Sequence, residues 1–143
     1  MQPDQPERIA LAVGQTASRE MRMTEEVVRE FSEVVGDSNP LHVDAEAASR
    51  SRFGRPIVNG MLIGTLVSSV IGTTLPGPGS IYLSQTLRFL APVFLGDVVT
   101  IRVTIASVRA DKPIVTLRTE CFGGEGKLAV DGEAVVMVDR LQG

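Results

Sequence analysis

The chain of 143 residues has one cysteine, one histidine and no excess of basic charge, and its first residues carry no charged-then-apolar leader. Each shortage closes a class of explanation. With Cys121 alone no internal disulfide can form, and a reducing compartment is the natural setting. A formal net charge of −3 leaves no basic face of the kind nucleic-acid binders present. Residues 1–8 read as a loose terminus without a signal pattern, so a cytoplasmic location is expected. There is no internal repeat, linker or low-complexity segment. Residues 1–143 are therefore expected to form one domain, large enough to bury a core without disulfide or metal. Residues 58–75 carry no charged side chain, and that length is near the lower limit for a bilayer span. Yet Asn59, Thr65, Ser68, Ser69, Thr73 and Thr74 interrupt the run and no Lys/Arg cluster flanks it, which points to a buried core helix instead.

What is present falls into two halves. Residues 17–23 alternate as a strand does. Thr24 suits a helix N-cap, with Glu25 and Glu26 in the first turn, and Val27, Val28, Phe31, Val34 and Val35 recur at helical spacing. The spacing predicts an amphipathic helix over 25–35, ended by Gly36. Asn39-Pro40 turns the chain, and residues 44–51 predict a short helix behind a capping Asp44. A helix is expected from Gly60 to about Gly72. Gly60, Gly64, Ser68 and Gly72 put a strip of small residues on one of its faces for tight packing against a sheet, and apolar residues cover the rest. Four runs follow, over 81–90, 99–105, 114–122 and 128–138, separated by short turns. They predict an antiparallel meander and, with the early strand, a five-stranded sheet holding a buried helix, an α+β domain.

The long excursion between the two main helices carries the chemistry-bearing residues, as long ordered excursions commonly do. Asp37 precedes the lone His42 by five positions, and the stretch runs on to Gly60 at the start of the uncharged helix. A carboxylate, an imidazole and a helix N-terminus are the parts that acid–base chemistry on a carbonyl compound requires. Taken singly each has a structural explanation: Asp37 as a turn cap, Asn39-Pro40 as a turn, His42 as a structural histidine.

Read together, Asp37-Ser38-Asn39-Pro40-Leu41-His42-Val43-Asp44 resembles the hydratase motif of the MaoC-like, (R)-specific enoyl-CoA hydratases. The resemblance continues through residues 53–62, 75–83, 92–97 and 111–113 and covers the chain from about residue 10. It implies a hotdog fold, in which an antiparallel sheet wraps a long central helix, and a homodimer whose sheets join edge to edge. The implied substrate is a trans-2-enoyl-CoA, hydrated to the (R)-3-hydroxyacyl-CoA, with no metal and no cofactor, coenzyme A being part of the substrate. The implied catalytic pair is Asp37 and His42, with Gly60 as backbone oxyanion donor and Ser68 and Asn39 in support. Asn59 departs from the histidine that many relatives carry before the glycine, and reads as a tolerated change. Arg52, Arg55 and Lys112 are phosphate partners by charge only, and solvated surface residues account for them as well.

Two other enzyme readings share parts of this pattern. A 3-hydroxyacyl-carrier-protein dehydratase would use the same pair, because hydration and dehydration share one transition state. A hotdog thioesterase would place an acidic residue on the central helix, and residues 61–71 have none. A non-catalytic acyl-CoA-binding subunit suits chains that have lost the Asp or the His.

Overall fold

The computed structural model describes residues 10–139; the terminus read over 1–8 lies outside them. Strand β1 (Thr16–Arg22) leads into helix α1 (Glu25–Val35). Both ends of α1 are set by sequence. The Thr24 side chain accepts the Val27 N–H, and Gly36 takes the left-handed conformation, φ 74°. The buried face is Val28 and Ser32, whereas Val34 and Val35 of the expected apolar face stand 85% and 56% exposed.

Two short helices follow, α2 (Pro40–Val43) and α3 (Ala45–Ser49). Asn39, with Pro40 at the first helical position, caps α2 where only a turn was expected, and Asp44 caps α3 as read. Helix α4 (Gly60–Thr73) is the core element. Leu62, Ile63, Leu66, Val67, Val70 and Ile71 are buried, and the helix packs chiefly on β4 while touching β1, β2, β5 and β6. Its expected wrapping on all sides is incomplete: Met61, Thr65, Ser68 and Gly72, spaced along one stripe, are exposed. Gly60 and Gly64 do give the close packing expected of them. A Cβ there would come within 2.7 Å of the Phe89 ring and 2.8 Å of Leu87. Among the described residues no helix is long and apolar enough to cross a membrane.

The strands are β2 (Ser80–Gln85), β3 (Arg88–Phe89), β4 (Val98–Val108), β5 (Ile114–Phe122) and β6 (Leu128–Val138). In β4 and β5 burial alternates residue by residue, as their sequences foretold. The expected single strand over 81–90 instead breaks in two. A bulge between Tyr82 and Ser84 interrupts β2, and the chain then steps over Gly132, where any Cβ would strike the Thr86 carbonyl. Only β4, β5 and β6 form a meander. The antiparallel sheet runs β1-β4-β5-β6-β2, with β3 also on β6, so β2 returns to pair with the last strand and not with β4. Six strands, not five, curve about α4 in the α+β hotdog arrangement. Strands β1 and β2 are its two edges.

Candidate active site

The excursion from Asp37 to Gly60 is tied down at each end. The Asp37 N–H donates to the Ser32 carbonyl at 2.9 Å, so the residue leaves α1 in a fixed direction. Asn39 donates its backbone N–H to Asp37 Oδ1 at 3.1 Å, and its own side chain accepts from Leu41 N–H to start α2. One turn of helix then turns His42 back towards Asp37. Further on, Ile57 bridges to Phe94 and Val58 N–H donates to the Val93 carbonyl, which sets residues 57–58 against the chain before β4. The Ile57 N–H reaches the Leu41 carbonyl, closing the loop on itself.

His42 Nδ1 lies 2.7 Å from the Ile57 carbonyl oxygen. Because a carbonyl only accepts, Nδ1 carries the proton, and in the neutral ring Nε2 is the bare acceptor. Nε2 stands 4.0 Å from Asp37 Oδ2, with the two side chains 11% and 35% exposed. The carboxylate is held below its ordinary range of ionisation. The Asn39 backbone N–H has the largest effect and the Asn59 side-chain amide comes next; partial burial opposes them, and His42 adds a smaller favourable contribution.

Asn59 was not among the expected site residues, yet it is at the centre of the site. It is 2% exposed, and Nδ2 donates to Asp37 Oδ2 at 2.9 Å and to Ser32 Oγ at 3.3 Å. Among the described residues, Gly60 and Met61 N–H have no acceptor, and the first amide of α4 to find one is that of Leu62, on the Asn59 carbonyl. Asp37, His42, Asn39 and Gly60 are thus brought to the start of α4. Ser68 is not. It lies eight residues on, about 12 Å along the axis at 1.5 Å per residue, and lines a groove of about 290 Å³ with Met61, Gly64, Thr65, Tyr82 and Leu83. Of the cations considered for phosphate, Arg55 stacks on the Phe94 ring at 3.9 Å. Cys121 is fully buried, and burial pushes its thiol up to about 12, which removes it as a nucleophile at neutral pH.

A carboxylate and an imidazole at the uncapped amino end of a helix, cradled by a curved antiparallel sheet, make up the layout of a hotdog protein. The chain belongs to the MaoC-like domain family, whose profile matches residues 9–120. It is 50% identical over 127 residues to the (R)-specific enoyl-CoA hydratase of Aeromonas caviae, covering 89% of this chain and 95% of that one. The solved structure of the A. caviae (R)-hydratase, described as involved in PHA biosynthesis, superposes with a TM-score of 0.89 at 48% identity, over 92% of this chain and 99% of that one. The unliganded R-hydratase PhaJ1 of Pseudomonas aeruginosa gives 0.87 at 43%, over 91% and 83%.

Proposed function

We propose that the protein is an (R)-specific enoyl-CoA hydratase, a hydro-lyase that adds water across a trans-2-enoyl-CoA to give the (R)-3-hydroxyacyl-CoA. The reaction and its handedness follow from the hydratases it resembles. The observation that carries the mechanism is the gap between Asp37 and His42. At 4.0 Å it is too wide for a direct hydrogen bond. It suits one water donating to both atoms, since two bonds of about 2.8 Å diverging from one oxygen end roughly 4 Å apart. Held this way, the water points its lone pairs away from the pair and towards the substrate.

His42 Nε2 is the acceptor for the water proton, because Nδ1 is occupied by the Ile57 carbonyl. Asp37, kept ionised by its N–H donors, orients the water and steadies the imidazolium that forms. As the water oxygen bonds to C3, the C2–C3 π electrons move towards the thioester carbonyl. The oxygen that gains charge is received by the Gly60 N–H at the positive end of α4. The imidazolium then returns the proton to C2 on the same face, so hydroxyl and hydrogen are both accounted for and His42 is regenerated. Asn39 supports the pair through its N–H to Asp37. Ser68 supports the substrate, not the pair: the groove begins at Met61, next to Gly60, and gives an acyl chain a path along α4. The protein works as a homodimer in the cytoplasm, without metal or cofactor.

Asp37→Ala and His42→Ala each remove a partner of the reacting water. Loss of absorbance at the enoyl band of crotonyl-CoA should slow by about 10²–10⁴-fold in either variant, with circular dichroism unchanged. Chiral analysis should give the (R)-alcohol from the parent protein. Near-normal turnover in a folded variant would remove that residue from the mechanism.

A further inference from the structure

An asparagine immediately before a helix has an obvious use: its side-chain oxygen accepts an N–H of the first turn. Asn59 stands at that position and makes no such bond. Its side chain turns from α4 to the end of α1, where Nδ2 donates to both Asp37 Oδ2 and Ser32 Oγ. The direction of the amide is fixed, because an ionised carboxylate only accepts and must meet the NH₂ end. The cost is visible at the other end, where Oδ1 is buried without a hydrogen-bond partner among the described residues. Buried polar atoms are seldom left so, and one that gives up a capping bond as well is serving something other than helix stability.

We propose that Asn59 is a positioning residue for the hydration reaction: braced by Ser32, it fixes the orientation of the Asp37 carboxylate opposite His42 and leaves the first N–H groups of α4 free for the substrate oxygen. The inference rests on the role given to Asp37 above. Oδ1 of Asp37 is already held by the Asn39 N–H, so the Asn59 bond to Oδ2 removes the last rotation of the carboxylate. Without it Oδ2 is free to swing off the line to Nε2, and the water loses one of its two anchors. Among the described residues, the side chains set against the carboxylate are otherwise uncharged. Ser32 on α1 and Asn59 ahead of α4 are uncharged, and His42 on α2 is the ionisable side chain whose charge bears on it.

Three variants test the assignment against a purely structural role. Asn59→Ala should lower kcat about 10- to 100-fold, by analogy with the loss when a group that orients a metal ligand is removed, while KM stays within about threefold. Asn59→Asp keeps the shape but needs its own proton to donate to Asp37. Two facing carboxylates share a proton with a raised affinity, so this variant should recover activity as pH falls and lose it as pH rises. The parent and Asn59→Ala should show no such limb. Ser32→Ala, which removes only the brace, should have a smaller effect of the same kind. Carbon-13 NMR of the Asp37 carboxyl gives a readout independent of turnover: in Asn59→Ala its titration should move up towards the ordinary carboxylate value. An unmoved titration, or an Asn59→Asp loss that is flat with pH, overturns the assignment. A titration that moves in Asn59→Ala while kcat does not shows the contact but overturns the positioning role; Asp37→Ala, measured beside it, tells that failure from a failure of the catalytic reading of Asp37.

Discussion

At the scale of single residues, the fold displaces the ionisation of Asp37. Its ordinary value is 3.8, and the folded protein holds it lower, first through the Asn39 N–H and then through Asn59. A depressed carboxylate stabilises the fold at pH above its unfolded value and loses that contribution as pH falls through its folded value. Asp37→Asn removes the titration while keeping the shape. The stability of the parent relative to Asp37→Asn should therefore be constant from neutral pH down to about pH 5, decline below that, and level off only once the folded carboxylate is itself protonated. Urea midpoints of the two proteins over a pH series check this, and a difference that stays level throughout the series contradicts it. Sequence reading singled out Asp37, His42, Asn39 and Gly60 by their types and order, and the structure brings the four together at the start of α4. It passed over Ser32, and it read Asn59 only as a tolerated departure from the family's histidine, because nothing in a sequence says which way an asparagine before a helix will turn. A second hint was a serine on the inner face of an amphipathic helix, where a polar residue needs a partner.

At the scale of elements, α1, α3, α4 and the alternating strands were legible, and α2 and the strand pairing were not. Thr24 and Gly36 mark α1 to the residue, and Val99, Ile101, Val103 and Ile105 mark the inner face of β4. Alternation, however, names a face and not a neighbour, so it could not tell that β2 lies beside β6. Nor did residues 81–90 contain a glycine or proline to announce the break at Thr86. The cause is on the other strand, at Gly132, where the Thr86 carbonyl occupies the space of a side chain. This contrasts with Gly64, where a methyl would meet only the tip of Leu87, a side chain able to rotate aside. Gly132→Ala should consequently cost clearly more than Gly64→Ala. Overpacking that side chains cannot relieve costs about 1–3 kcal/mol or more, and the movable case should fall below that range. Thermal melts of the two variants decide the order; equal losses would mean that the β2–β3 crossing yields as readily as a leucine.

At the scale of the whole molecule, the two sheet edges differ in charge and exposure, and the proposed homodimer would join through one of them. Edge β1 presents Arg19, Glu20 and Arg22 to solvent, charges of the kind that discourage another strand from adding. Edge β2 reads Ser-Ile-Tyr-Leu-Ser-Gln, without a charge, and leaves Ile81 40%, Tyr82 37% and Leu83 50% exposed. Beside it Met61 is 58% exposed on the open stripe of α4, so the apolar surface runs unbroken from the edge to the groove beside the proposed oxyanion donor. An antiparallel β2–β2 contact about a twofold axis would cover that surface and supply the missing side of the wrapping around α4. Leu83→Lys places a charge on the edge without touching the monomer core. Sedimentation should give twice the chain mass for the parent and a single chain for this variant, and the melting temperature should rise with protein concentration only for the parent. Activity should fall with the mass, because the groove beside Ser68 then stands open to water along the path proposed for the acyl chain. A monomeric parent with full turnover would leave the exposed edge without this explanation and would make the single chain a complete catalytic unit.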